Sequence, residues 1–278
     1  MQTNMVHKLV SFPSYNHMAS LNIGPMDTDP IYRIMPVEEF VAMLCHHSNV
    51  LRRPALWDDP FEKVIQKFKV RLDDGQMKEL DWKHWYAQCW SIRKECDGLW
   101  RNFTHNKEVR SVKIETTIGQ LRNSLNIDND NIVSFAGCVE YVEPRKYKTE
   151  IEMMANIYAS HYYFSPMYSD KSIEYFLRNF ELSLLTHKRI AFEYENEYRL
   201  LSYLSEETDS NVWDYDFKVN DLISRVVLDP WTKKYEFELY YELFKEKLEF
   251  EGDVEISDLY REDEKDKFIL EITKKQNK

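Results

Sequence analysis

The spacing of apolar and polar residues divides most of the chain into short strands and amphipathic helices. A period of two indicates a strand with one buried face, and a period near 3.6 indicates a helix. Apolar runs and alternation predict strands at residues 31–34, 85–92, 109–115, 131–142, 188–204 and 221–231. Helical spacing predicts helices at residues 36–47, 60–68, 116–125, 148–164, 172–188 and 233–250.

The irregular order of these elements favours an α+β fold, with a single domain built on a mixed central sheet and flanking helices. The chain has 6 glycines and 9 prolines, and no Gly/Ser-rich or Pro-rich run could serve as a flexible linker. We interpret residues 1–28 as an N-terminal extension, 29–260 as the domain and 261–278 as a charged C-terminal tail with one predicted short strand.

The charge of the chain argues against general nucleic-acid binding. The formal net charge is −11, so non-specific DNA binding is disfavoured, although a local basic groove stays open. Aromatic residues make up 14%, which suits both packed cores and pockets for planar ligands. The first residues lack the pattern of a secretory signal, and no apolar run predicts a membrane span. We therefore expect a cytoplasmic protein with reduced cysteines.

The stretch FEYENEYRL carries the most informative charge pattern. On an extended strand, a period of two places Glu193, Glu195, Glu197 and Arg199 on one face. Such a row of carboxylates is either the solvated face of a strand or a functional site, because the like charges repel each other without nearby cations or donors. In the functional interpretation, Glu195 and Glu197 orient a ribose hydroxyl and stabilise a developing cation.

A second candidate stretch follows the strand at 85–92. Trp90, Ser91, Trp100 and Arg101 lie in WYAQCWSIRKECDGLWRNF, where tryptophans and an arginine could form the wall of a site for a planar, charged ligand. Equally, they could be core residues with one ion pair. In the opening strand, Tyr32 and Arg33 leave two alternatives as well, since Arg33 either extends to water or reaches into a polar site.

The string LWDDPFE is explained by helix capping. Asp59 fits an N-cap, Pro60 fits the first helical position, and Glu62 could return the capping hydrogen bond. The Cys-His-His at residues 45–47 is adjacent rather than spaced on one helical face, so no metal site is predicted there. No P-loop, GxGxxG, GxSxG or HExxH string is present.

Taken in order, several strings between about residues 30 and 232 resemble the serial motifs of a widespread bacterial family known as a domain of unknown function. The strings are IYRI, LWDDPFE, QCWSIRKECDGLWRNF, VKIETTIGQL, FEYENEYRLL and VVLDPW. Asp58 stands where that family often has Asn, which preserves turn chemistry but puts any amide-specific contact in doubt. Members of the family often occur among presumed phage-defence or toxin genes.

The order of an arginine-bearing first strand, a serine-bearing middle strand and a later Glu-x-Glu strand also resembles the layout of ADP-ribosyltransferases. The resemblance implies that Arg33 binds the pyrophosphate of NAD, Ser91 braces the strand beside the nicotinamide, and Glu197 holds the ribose during bond cleavage. Glu195 is expected close to Glu197.

The same resemblance implies NAD as the substrate and an aromatic contact for its nicotinamide ring. Trp90 or Trp100 is expected to stack on that ring, and Tyr32 and Arg101 complete the predicted contacts with NAD. The implied protein is an effector or toxin of phage defence that consumes NAD or transfers ADP-ribose to a nucleic-acid or protein acceptor.

Two other functions remain open from the residues alone. A nuclease would use Asp59, Glu62 and the glutamate strand with a divalent ion, and a chelator would abolish its activity. A non-catalytic binding or regulatory module would dock a partner or small ligand in an aromatic cleft, so Trp100 would matter and Glu197 would not.

Overall fold

The computed structural model of the chain describes residues 10–11, 25–72, 75–104, 108–125, 131–163 and 170–261. The strands are β1 (Val10–Ser11), β2 (Pro30–Pro36), β3 (Ser48–Arg52), β4 (Lys69–Arg71), β5 (Met77–Glu79), β6 (Trp85–Ser91), β7 (Ser111–Thr117), β8 (Ile132–Cys138), β9 (Glu140–Val142), β10 (His187–Arg189), β11 (Glu197–Leu204), β12 (Val212–Asp216), β13 (Arg225–Leu228) and β14 (Asp253–Ile256). The helices are α1 (Val37–His46), α2 (Asp97–Phe103), α3 (Ile118–Ser124), α4 (Pro144–Tyr163), α5 (Asp170–Leu184), α6 (Val219–Leu222) and α7 (Lys234–Glu242).

Ten strands form one mixed sheet. Its main order is β1-β8-β11-β6-β2-β7-β13-β14. Outside this order, β3 pairs with β6, and β12 pairs with β3. β1 pairs with β8 and β13 with β14 in parallel, whereas the remaining pairs of this sheet are antiparallel. This arrangement confirms the prediction of a single α+β domain with a mixed central sheet and flanking helices.

The sheet splits between β2 and β6. These strands meet at one register point, where Tyr32 pairs with Ser91, although β2 pairs with β7 along its whole length. Further along β6, Ala87 pairs with Arg52 of β3 instead of with β2. The two halves of the sheet therefore diverge beside the Tyr32–Ser91 pair, and a cleft opens between them.

Two apolar cores cover the faces of the sheet. Because side chains alternate along a strand, Tyr86 and Trp90 of β6 point into the core that also contains residues of α1, α3 and α6. Trp85 and Ala87 point into the other core, which contains residues of α4 and α5. Both faces of β6 are buried, which explains why its sequence is nearly continuous in apolar residues.

Some local predictions need correction. The helix predicted at 60–68 is a turn followed by the short 3-10 helix Val64–Lys67. The strand predicted at 188–204 is broken into β10, the 3-10 helix Ile190–Glu195 and β11. Most of the predicted N-terminal extension and all but Arg261 of the predicted tail lie outside the described residues. Within those residues, no helix has the length and apolar character needed to cross a membrane.

Candidate functional site

The cleft at the split of the sheet has a cavity volume of about 30 Å³, well below the usual range of ligand pockets, so only part of a nucleotide-sized ligand fits inside it in this conformation. Its wall is formed by β2, the end of β6, the segment that leads into α2, α2 itself and the start of β11. The lining residues are Tyr32, Arg33, Ile34, Cys89, Trp90, Ser91, Arg93, Lys94, Leu99, Phe103, Glu195 and Glu197. Cations, aromatic rings and carboxylates thus share one concave surface.

Strand register brings three of the predicted site residues side by side. Ser91 is the partner of Tyr32 on β2 and of Glu197 on β11, and directly opposed residues project from the same face of a sheet. The Ser91 hydroxyl donates to the backbone oxygen of Glu195 at 2.6 Å and accepts from the Arg93 N–H at 3.1 Å. Ser91 therefore ties the end of β6 to the residue that precedes β11 by two positions.

The conformation of residues 190–196 differs from the extended strand expected from the sequence. Residues Ile190–Glu195 form a 3-10 helix, and Asn196 ends it in the left-handed region with a φ of 43°. Asn adopts this conformation more readily than most residues. As a result, the exposed Glu193 does not share a face with Glu197, whereas Glu195 folds back beside Glu197 and is buried.

Lys188 of β10 bridges the two cleft carboxylates from the interior. Its ammonium nitrogen lies 2.6 Å from Glu195 Oε2 and 2.9 Å from Glu197 Oε1, and 3.7 Å from Glu62 Oε2. The nitrogen also lies 4.8 Å from the centroid of the Phe192 ring. Lys188 is not among the residues that line the cleft, so it supports the carboxylates without occupying ligand space.

Arg199 fixes the other oxygen of Glu197. Its Nε donates to Glu197 Oε2 at 2.7 Å, its Nη1 donates to the Leu185 carbonyl at 2.6 Å, and its Nη2 donates to Glu62 Oε1. The guanidinium carbon lies 4.2 Å from the centroid of the Trp57 ring. Arg199 is 1% exposed, so these contacts replace water entirely.

The turn around Asp59 is held by charge rather than by the predicted capping box. Asp59 Oδ1 accepts from the N–H of Phe61, and Arg189 binds both carboxylate oxygens of Asp59 at 3.0 Å. Glu62 pairs with Arg199 and Lys188 instead of returning a capping bond. The helix-capping interpretation of Glu62 is therefore wrong, because two buried cations outcompete a single backbone N–H for its carboxylate.

The resulting network has one more acidic than basic group. Glu62, Glu195 and Glu197 meet Lys188 and Arg199. Burial alone would raise the pKa of Glu197, but Arg199 and Lys188 outweigh burial and hold this pKa below its usual value. Burial, and the adjacent Glu197, raise the pKa of Glu195. One proton on Glu195 leaves two carboxylates against two cations, which balances the buried charge.

This assignment predicts how Glu195→Gln changes stability with pH. A carboxyl whose pKa is raised on folding binds its proton more tightly in the folded state, so stability falls as pH rises from the ordinary glutamate pKa towards the raised value. The neutral amide of the variant avoids that loss. As the pH rises from about 5 to about 8, wild type loses this stabilisation and the variant does not. We therefore expect the difference in unfolding free energy to shift by about 1–2 kcal/mol in favour of the variant.

Urea unfolding at several pH values measures this difference. Glu193→Gln is the matched control, because Glu193 is an exposed glutamate on the same 3-10 helix. A Glu195→Gln difference that changes with pH no more than the Glu193→Gln difference would contradict the raised pKa.

Arg33 faces the cleft from β2 with one weak ion pair. Its Nη2 lies 3.6 Å from Glu39 Oε2, while Arg52 binds the other oxygen of Glu39 at 2.8 Å. Burial lowers the pKa of Arg33, partly offset by Glu39. A partly buried guanidinium that shares its carboxylate with a second arginine retains donors for an anionic ligand. Between Arg33 and Arg199, burial raises the pKa of the Cys89 thiol to about 12, so Cys89 is a neutral part of the wall.

Trp100 and Arg101 are turned away from the cleft. Trp100 is fully buried, and its Nε1 donates to Glu95 Oε2 at 2.8 Å. The exposed Arg101 binds both oxygens of Asp97 through Nε at 2.8 Å. A helix turns about 100° per residue, so α2 presents other positions to the cleft. The predicted contacts of Trp100 and Arg101 with NAD are not supported by these positions.

Trp90 lines the cleft, although most of its ring is in the core. It is 2% exposed, and its Nε1 donates to Gln88 Oε1 at 2.7 Å. Burial to this extent allows contact with a ligand at one edge but not stacking over the full ring. Of the predicted residues, the structure therefore brings together Tyr32, Arg33, Trp90, Ser91, Glu195 and Glu197.

Sequence patterns did not point to several residues of the site. Leu99 and Phe103 line the cleft from α2, and their spacing of four residues is a helical-face signal that could have found them. Lys188 lies in the three-residue strand His187–Arg189, which is too short for alternation to show that Lys188 alone would point to the carboxylates. The remaining residues missed in the cleft wall are Ile34, Cys89, Arg93 and Lys94.

Comparisons with known proteins leave the family of the chain open. No protein-family model matches it, and no curated protein matches it. Solved structures with a similar outline include DarT of Thermus sp. 2.9 in complex with carba-NAD+, with a TM-score of 0.36 and 10% identity over 84% of this chain and 97% of that chain. The same protein in complex with ADP-ribosylated ssDNA has a TM-score of 0.38 and 8% identity, with 84% and 96% covered. A likeness of this size carries no functional conclusion.

Proposed function

We propose that the cleft binds NAD, breaks the bond between nicotinamide and ribose, and transfers ADP-ribose to an acceptor. The observation that carries the proposal is the convergence of Arg33, Ser91 and Glu197 on one cleft, with Glu195 beside Glu197. These residues come from β2, β6 and β11, which are far apart in the chain. The pairing of these neighbouring strands brings the residues together at the split of the sheet.

The cleft offers complementary chemistry for the pyrophosphate and for a ring of NAD. Arg33, Arg93 and Lys94 in its lining supply positive charge, which suits a pyrophosphate. Tyr32 and Phe103 supply aromatic surface for a planar ring.

The carboxylates supply the charge that bond cleavage requires. When the bond from ribose C1′ to the nicotinamide nitrogen breaks, its electron pair leaves with neutral nicotinamide, and positive charge develops on the ribose. The ionised Glu197 stabilises this charge in a site shielded from water. The acceptor nucleophile then forms a bond to C1′ and releases one proton. No other reactant is needed.

The same network disfavours the metal-dependent nuclease. Asp59 is already bound by Arg189 through both oxygens. The carboxylates of Glu62 and Glu197 are bound by Arg199, so a divalent ion at this position would face fixed positive charge. The nature of the acceptor and a role in phage defence stay predictions from the resemblance.

Nicotinamide release by the purified protein tests the proposal. We expect wild type to release nicotinamide from NAD in the presence of cell lysate and to transfer label from the adenylate moiety to an acceptor. Treating the lysate with nuclease or protease then identifies the class of the acceptor. No release under any condition would refute the proposal and favour a binding module.

Arg33→Met is expected to raise KM for NAD about 10- to 100-fold, because a charge-assisted hydrogen bond to phosphate is worth about 1.5–3 kcal/mol. Arg52→Met is the matched control, since Arg52 binds the same Glu39 but does not line the cleft. Steady-state kinetics of both variants measures the difference. Equal effects of the two substitutions would mean that Arg33 acts only through Glu39.

A further inference from the structure

We propose that Lys188 is a positioning residue that, together with Arg199, keeps Glu197 ionised beside a protonated Glu195 at the floor of the cleft. The inference rests on the proposed function for its role in catalysis, but the charge assignment itself follows from the geometry of the network. Lys188 touches both carboxylates and does not line the cleft. It therefore acts on a substrate only through Glu195 and Glu197.

Lys188 binds both carboxylates, and Arg199 makes them unequal. Both carboxylates accept one short hydrogen bond from the Lys188 ammonium group. Glu197 alone also accepts a hydrogen bond from Arg199 Nε, at 2.7 Å. Glu197 thus has two cations, and Glu195 has one. A single proton shared by the pair will reside on the carboxylate with fewer cations.

The other groups around the pair include an acid and a neutral phenol. A Glu62 oxygen lies 3.7 Å from the Lys188 nitrogen. The negative charge of Glu62 offsets part of the positive charge of Lys188 and Arg199. The Tyr141 hydroxyl of β9 accepts from the backbone N–H of Glu197 at 2.8 Å, and burial raises the pKa of Tyr141, so it stays neutral.

Two further neighbours complete the surroundings. Tyr194 precedes Glu195 in the 3-10 helix and hydrogen-bonds to it, and burial raises the pKa of Tyr194. Cys89 of β6 faces Glu197 as a neutral thiol. No group among these neighbours brings positive charge to Glu195 apart from Lys188 and the more distant Arg199 within the described residues.

The consequence for chemistry is that one carboxylate bears the charge and its neighbour bears the proton. An ionised Glu197 can stabilise a cationic ribose, whereas two ionised carboxylates at this distance would repel each other, and two protonated ones would supply no charge. Lys188 sets the state between these extremes. Its loss should raise the pH at which Glu197 takes up a proton.

Lys188→Met tests the inference, because methionine retains the length of the side chain without its charge. In the pH profile of kcat for nicotinamide release, we expect the acidic limb to shift to higher pH by about one unit or more. We expect little change in KM for NAD. Lys188→Arg restores the charge and should return the limb towards its wild-type position. If Lys188→Met does not fold, Lys188→Gln replaces it, since its amide can still donate to both carboxylates.

Arg189→Met is the matched control. Arg189 is the next residue on β10 and binds Asp59 rather than the cleft carboxylates, so this variant should lower Tm without moving the pH profile. The same behaviour in Lys188→Met, a lower Tm with an unmoved profile, would overturn the inference and leave Lys188 a structural residue.

A spectroscopic measurement separates this inference from the proposed function. In protein labelled with 13C at glutamate Cδ, the resonance of Glu197 is assigned by its absence in Glu197→Gln and followed from about pH 2 to about pH 8. We expect its titration to move to higher pH in Lys188→Met, and an unmoved titration would overturn the inference. A wild-type protein that releases no nicotinamide would refute the NAD proposal, while this titration still tests the charge assignment.

Discussion

Replacing Arg199 by methionine is expected to lower the free energy of unfolding by about 3–5 kcal/mol, because it removes one partner of a buried ion-pair network and leaves the other charges uncompensated. Arg199 is 1% exposed and binds Glu62 and Glu197 together with the Leu185 carbonyl. Chemical denaturation at neutral pH measures the loss.

A second substitution shows whether charge balance causes the loss. With Glu195 protonated, Glu62 and Glu197 oppose Lys188 and Arg199, so the Arg199→Met variant retains one excess negative charge. Adding Glu62→Gln removes that charge, and we expect the double variant to be at least about 1 kcal/mol more stable than the sum of the single changes predicts.

Glu95→Gln is the control for this double-mutant cycle. Glu95 is also buried beside a cation, Lys113, at 3.1 Å, but it shares no ion pair with Arg199. The combination of Arg199→Met with Glu95→Gln should therefore be additive. Equal coupling to Glu62 and Glu95 would show that general loosening of the core, and not local charge, explains the effect.

The part of the fold that depends on local patterns was predictable from sequence. Apolar alternation located β2 and β6, and the irregular order of strands and helices indicated an α+β domain. The split of the sheet was not predictable, because it depends on β6 pairing with β2 at one residue and with β3 further along. Such pairing is decided by tertiary contacts that no local period contains.

In the candidate site, too, the sequence predicted what depends on local patterns and missed what depends on tertiary contacts. Strand alternation correctly separated Glu197 from its neighbour Tyr198, but it failed at Glu193, because Ile190–Glu195 form a 3-10 helix and not an extended strand. The pairing of Glu62 with Arg199 joins residues 137 positions apart. A capping rule that considers a few residues at a time could not identify that partner.

Ion pairs join the turn LWDDPFE to the segment that leads into β11. The turn supplies Asp59 and Glu62, and the stretch from Lys188 to Arg199 supplies the cations that bind them. The ion pair of Glu62 with Arg199 also joins two of the sequence strings, LWDDPFE and FEYENEYRLL. The turn fixes the position of β10 and β11, and these strands place the carboxylates at the cleft.

Replacing Glu197 by glutamine is expected to reduce kcat for nicotinamide release about 100- to 1,000-fold, the usual cost of removing a group that stabilises charge in the transition state. Single-turnover measurement of nicotinamide release follows the loss. Glu181→Gln is the matched control. Glu181 is a buried glutamate of α5 that accepts from the Asp81 N–H and the Trp85 indole, and it does not line the cleft.

The charge network predicts that Glu197→Gln remains folded. Without the charge of Glu197, Lys188 and Arg199 exceed the charge of Glu62, so Glu195 becomes the favoured site for the missing negative charge and should lose its proton. The buried charge is then balanced again, with the ionised group at the wrong position. A folded variant that cleaves NAD as fast as wild type would show that either carboxylate can serve the reaction. An inactive folded variant would show that catalysis depends on where the negative charge lies and not only on its presence.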